Sequence, residues 1–181
     1  NFQENDYWVT LTYKLENRPQ DMKEAAKDFE RWRDKVRRQY RKRGAELKWM
    51  LHTEIGSRGG VHHHLVINRI PDADLIMRKA WEKGGVHIDL LYDEGGFRKL
   101  AEYLSKTPDE ENKMKESRYS CSKNLKIPVA EEKVYKRKTW SDEPKPPKGY
   151  YLDKETYHEG INPVTGYKYR RYILIRLNRR I

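Results

Sequence analysis

The stretch Glu54-Ile-Gly-Ser-Arg-Gly-Gly-Val-His-His-His-Leu-Val-Ile-Asn68 decides how this chain is read. Gly56, Gly59 and Gly60 mark a turn between two runs of alternating character. Side chains alternate faces along a strand, so His62 and His64 share one face. His63 takes the other, with Leu65 and Ile67. In the preceding run, residues 47–55, Leu47, Trp49, Leu51 and Ile55 make an apolar side and leave His52 and Glu54 opposite. If the two runs pair as a hairpin, the polar face carries a carboxylate, Glu54, and two imidazoles, His62 and His64, within reach of one cation. His52 shares the Glu54 face and is a reserve ligand.

Upstream, residues 7–13 alternate Tyr7, Val9, Leu11 and Tyr13 against Trp8, Thr10 and Thr12, which predicts a strand. Asp21 with Glu24 reads as a capping box. Met22, Ala25, Ala26, Phe29, Trp32, Val36 and Tyr40 then follow helical spacing to an end near Gly44. The last turns, residues 31–43, are densely basic, either a solvated face or a phosphate-contacting one.

Downstream, Pro71-Asp72 opens a second helix running to Lys83, with Leu75, Ile76, Ala80 and Trp81 on its buried side. Residues 86–92 read as a strand, and residues 97–106 as a third helix ending before Pro108. The order βαββαβ predicts an α+β, ferredoxin-like (split βαβ) antiparallel sheet with helices on one face and a C-terminal extension. The uncovered sheet face then carries Trp8, Thr10, Thr12, Glu54, His62 and His64. Residues 1–108 are expected to form this core. Residues 109–148, charge-rich and poor in apolar side chains, read as a long loop. Residues 149–181 hold a hairpin around Asn162-Pro-Val-Thr-Gly166, whose second strand is apolar enough to extend the central sheet.

Composition bounds the partners. The 181 residues carry a formal net charge of +11, which favours a polyanion, most simply nucleic acid. The single Cys121 excludes an internal disulfide and fits a reducing compartment, the cytoplasm. No apolar run approaches a membrane span, and no Gly-Lys-Ser/Thr phosphate cradle occurs, so ATP hydrolysis is not expected.

The third helix adds a nucleophile. Tyr103 and Lys106 are three apart and so share one helix face. Free tyrosine titrates near pH ~10, and bringing it to working pH takes roughly three units, or about 4 kcal/mol. An ammonium at ~4 Å supplies on the order of 1 kcal/mol in water and about 4 in a partly desolvated site. Lys106, helped by a divalent cation, can therefore activate Tyr103. Two imidazoles and a carboxylate suit Mn²⁺ or Mg²⁺ bridging to phosphate oxygen, and zinc also fits the ligand types.

His62-His63-His64 together with Tyr103-Leu-Ser-Lys106 resembles the HUH endonuclease superfamily, particularly the single-tyrosine rolling-circle replication initiators (Rep proteins). Trp8-Val-Thr-Leu-Thr12 is similar to that family's first motif, and Glu54 stands where its members carry an acidic ligand. His63 replaces the bulky apolar residue usual at the middle position. The resemblance covers residues 7–106. It implies metal ligands Glu54, His62 and His64, a nucleophile Tyr103 supported by Lys106, and nicking and joining of single-stranded origin DNA through a 5′-phosphotyrosine. It also implies a bacterial plasmid, phage or integrated element as source, with a helicase as a further partner. Two rivals stand beside it: a single-tyrosine transposase of the same superfamily, and a non-catalytic ferredoxin-like nucleic-acid-binding module.

Overall fold

In the computed structural model, residues 1–56, 59–91, 101, 114–132, 141 and 143–177 are described. Asn1–Pro128 form one compact unit and Val129–Ile181 a second.

The first unit contains β1 (Tyr7–Thr12), a short 3₁₀ turn (Leu15–Asn17), α1 (Met22–Lys42), β2 (Trp49–Gly56), β3 (Val61–Ile67), α2 (Ala73–Ala80), β4 (Val86–Leu90) and β5 (Met114–Cys121). The strands form one sheet in the order β4-β1-β3-β2-β5, and every pairing is antiparallel. The first four strands reproduce the order and directions of a split βαβ plan. Both helices pack on one face. There Phe29, Trp32, Val36 and Tyr40 of α1 and Ile76 and Met77 of α2 meet Val9, Leu11, Trp49, Leu51, Leu65 and Ile67.

Local chemistry sets the helix ends. The Asp21 carboxylate accepts from the Glu24 amide at 2.7 Å, and the Glu24 carboxylate accepts from the Gln20 amide at 2.8 Å, satisfying two otherwise orphaned donors. After α1 the chain turns at Gly44, whose φ of +69° is costly for a residue bearing Cβ. The Trp32 indole donates to the Met77 carbonyl and ties α1 to α2. The second helix is shorter than expected, and Leu75 points to solvent while Ile76 and Met77 are buried. Beyond it, Gly84 lies against β1: an added Cβ would stand 2.1 Å from the Thr12 carbonyl oxygen, so the close approach requires glycine there.

Two expectations change. Residues 114–121, read as loop, form edge strand β5 on β2, from Met50↔Cys121 to Gly56↔Met114 with a bulge at Ile55/Gly56. Met-Lys-Glu-Ser-Arg-Tyr-Ser-Cys lacks an alternating apolar side because an edge strand is held largely by backbone bonds. The Ser122 hydroxyl adds to the ladder by accepting from the Trp49 amide. The strand that widens the central sheet is therefore β5. In the second unit, β6 (Tyr150–Ile161) and β7 (Lys168–Arg176) pair with each other as a separate two-stranded sheet. Its turn matches the sequence reading: Gly166 has φ +70°, and the Asn162 side chain accepts from the Val164 and Thr165 amides.

Of the expected third helix only Ala101 is described, and it is helical; Lys99, Tyr103 and Lys106 lie outside the described residues. Among the described residues no helix is long and apolar enough to cross a membrane.

Candidate metal centre

Cross-strand partners share a face of a sheet. On the face away from the helices the register makes one row of Thr12, His62, Glu54 and Ser117 across β1, β3, β2 and β5. The next row runs His87, Thr10, His64, His52 and Tyr119 from β4 to β5. Glu54 and His62 are therefore direct partners, and His64 sits diagonally from Glu54. Glu54 Oε1 lies 3.4 Å from His64 Nε2 and 3.9 Å from His62 Nδ1. One ligand atom from each of the three residues falls within 4.8 Å of the other two.

Donors bound at about 2.1 Å around one ion stand roughly 3.0–3.4 Å apart, so small side-chain rotations close this group onto a cation. The His62 side chain is 46% exposed, which leaves room for such a rotation and for a ligand above it. Electrostatics prepare the donors. The hydrogen bond with His64 holds the Glu54 carboxyl below its ordinary range, against the opposing effect of partial burial. Burial, followed by repulsion from His64, lowers the His62 pKa and favours the neutral ring that a metal needs. The donor set fits a divalent cation, with Mn²⁺, Mg²⁺ and Zn²⁺ all compatible.

His63 occupies the opposite face, fully buried. Thr53 Oγ1 lies 2.8 Å from its Nδ1 and the Tyr13 hydroxyl 2.9 Å from its Nε2, so both ring nitrogens are satisfied by side chains. Phe29 and Trp81 pack around the ring. Burial drives its pKa down to about 3, keeping it neutral. The Tyr13 phenol is pushed far up by burial and by the buried Asp28 carboxylate. His63 is thus a polar member of the core.

The metal-bearing face is less open than the alternation implies. Val66 and Leu91 are buried there under Phe2, Trp8 and Met50. His52 is also buried, stacked 6.5 Å from His64, and is no member of the ligand group. Trp8 stacks on His64 with ring centroids 5.7 Å apart and planes 16° from parallel. The Thr10 hydroxyl reaches His64 Nδ1 at 3.2 Å. Two residues of this face escape sequence reasoning. Alternation puts Thr10 on the right face but does not reveal its hydrogen bond, and Tyr119 is hidden because β5 carries no strand-like pattern.

The largest cleft among the described residues, about 630 Å³, lies behind the sheet. Its floor includes Phe29, Trp49 and Leu51, and its walls carry Arg33, Arg37 and Arg41 from α1 facing Arg118 and Lys123. Arg118 opposes Thr53 across the ladder and so shares the helix-covered face.

A family model described as replication-associated protein, ORF2 type, matches residues 6–108, more than half of the chain. No curated protein and no solved structure matches it.

Proposed function

The chain belongs to the ORF2-type replication-associated protein family, and on that premise we propose that it nicks and rejoins single-stranded DNA through a covalent phosphotyrosine. The observation that carries this reading is the grouping of Glu54, His62 and His64 on one sheet face within a matched replication-protein segment. A divalent cation bound there supplies Lewis acidity and orientation to a phosphodiester. The chain's own residues do the rest. Glu54 contributes an anionic donor, and the two imidazoles leave positions open for phosphate oxygen. Tyr103 gives up its phenolic proton, and Lys106 favours the resulting phenolate. The phenolate oxygen attacks phosphorus in line; the P–O3′ bond breaks as the P–O(Tyr) bond forms, and the departing 3′-oxygen takes up a proton. One phosphoester replaces another, so a 3′-hydroxyl can reverse the step and rejoin the strand.

The basic cleft supports a DNA partner. Arg33, Arg37 and Arg41 are spaced about 6 Å apart along α1, since four residues rise about 1.5 Å each. With Arg118 and Lys123 opposite, they offer a phosphate-contacting surface behind the sheet. Trp8 and Tyr119 offer aromatic faces on the metal side for stacking bases.

The test is a covalent adduct. With Mn²⁺ and a mixed single-stranded DNA pool that includes the native origin, the chain is expected to give a protein–oligonucleotide band on denaturing gels. EDTA and Tyr103→Phe should each remove it, and peptide mass spectrometry should place the nucleotide on Tyr103 and not on Tyr119. Tight binding across that pool with no adduct would overturn the enzyme reading in favour of a binding module.

A further inference from the structure

The hydroxyl of Thr10 stands 3.2 Å from Nδ1 of His64, while Nε2 of the same ring stands 3.4 Å from the Glu54 carboxylate. These two contacts constrain which ring nitrogen carries the proton. Beside a carboxylate, Nε2 is the donor in the metal-free chain, and a neutral ring then has Nδ1 as acceptor. A cation held by Glu54, His62 and His64 takes the Nε2 lone pair, so the ring proton must move to Nδ1. The atom facing Nδ1 therefore has to donate in one state and accept in the other. A carboxylate or a carbonyl cannot do both, whereas a hydroxyl can, by rotating about its C–O bond.

We propose that Thr10 is a positioning residue for the metal centre: its hydroxyl reverses its hydrogen bond to His64 Nδ1 and so holds Nε2 toward the cation in both states. The inference rests on the metal-binding reading of Glu54, His62 and His64. Thr10 sits in β1, paired with His64 on one side and His87 on the other, so strand register fixes where its hydroxyl points. Trp8 stacks on His64, fixing the ring plane, and Thr10 selects the edge. Hydrogen-bond partners of ligating histidines set ring orientation in this way.

Mn²⁺ binding by the full chain without DNA, followed by calorimetry, tests this at about pH 8, above the ordinary histidine range of about 6.5. Thr10→Val keeps the β-branched shape that suits a strand and deletes only the hydroxyl. It should weaken Mn²⁺ binding by about 10–100-fold, the usual effect of losing such a partner, and Thr10→Ser should restore it. Wild-type affinity in Thr10→Val would overturn the inference and leave the metal-binding reading standing. Absence of Mn²⁺ binding by the wild type, or unchanged binding by His64→Ala, would instead overturn the reading beneath it. Long-range ¹H–¹⁵N spectra of the wild type supply an arm that needs no variant. His64 should carry its proton on Nε2 without metal and on Nδ1 when loaded with diamagnetic Zn²⁺. A proton remaining on Nε2 in the loaded state would refute the proposal.

Discussion

His63 and its two neighbours are the same residue type on the same strand, yet they answer to different physics. His62 and His64 face a surface shared with Glu54, one half-exposed and the other buried but edge-on to a carboxylate. His63, one residue away, is sealed among Phe29, Trp81, Tyr13 and Thr53, with both nitrogens bonded. The pleat alone separates them. The contrast shows that a run of histidines is two sites, one facing a ligand and one supporting the fold, and that side-chain parity assigns the members.

Removing the outward pair should have the largest effect. His62→Ala with His64→Ala should lower Mn²⁺ affinity by more than about 100-fold, since even the hydrogen-bond partners of metal ligands are worth about 10–100-fold. Calorimetry measures this, with circular dichroism to establish that the chain stays folded. His63→Leu should do the converse, leaving Mn²⁺ affinity unchanged while costing about 1–3 kcal/mol of stability in urea unfolding. That cost reflects the Tyr13 and Thr53 hydroxyls losing their partner in a buried site. A His63→Leu chain of full stability that no longer binds Mn²⁺ would reverse the assignment of the two faces.

The smallest effect is a slope. The folded-state pKa of His63 is about 3, against about 6.5 for an unperturbed histidine, so on acidification the unfolded chain takes up the proton first. The stability linked to this group is complete above about pH 6.5 and falls as pH drops toward 3, by at most about 1.4 kcal/mol per unit. Between about pH 6.5 and 5 ordinary carboxylates stay ionised. In that window the wild type should lose stability more steeply than His63→Leu, and equal slopes would mean that His63 is not buried as a neutral ring.

Much of the first unit is legible in the sequence. The capping pair Asp21/Glu24 and the apolar stripe Phe29, Trp32, Val36 and Tyr40 specify α1 locally, because capping and helical period are short-range. The grouping of Glu54 with His62 and His64 follows from alternation plus one hairpin. Where long-range geometry decides, the reading stops. Leu75 reads as inward because a short amphipathic segment fixes its rotation poorly, and packing on α1 selects Ile76 and Met77 instead. Residues 114–121 show no alternation because their bonds are made by backbone to an edge that β2 presents only after folding. The covering of the metal-bearing face by Phe2 and Trp8 depends on how the N-terminal residues lie across Val66 and Leu91.

By itself the sequence determined the donor types, the parity that sorts three histidines, and the element order that brings β1, β2 and β3 together, all of them properties of spacing along the chain. Only the tertiary structure decided the partners at a distance: Thr10 on His64, Tyr13 on His63, and β5 on β2. Spacing says which way a side chain points from its own backbone, whereas register between strands far apart in the chain says what it meets there.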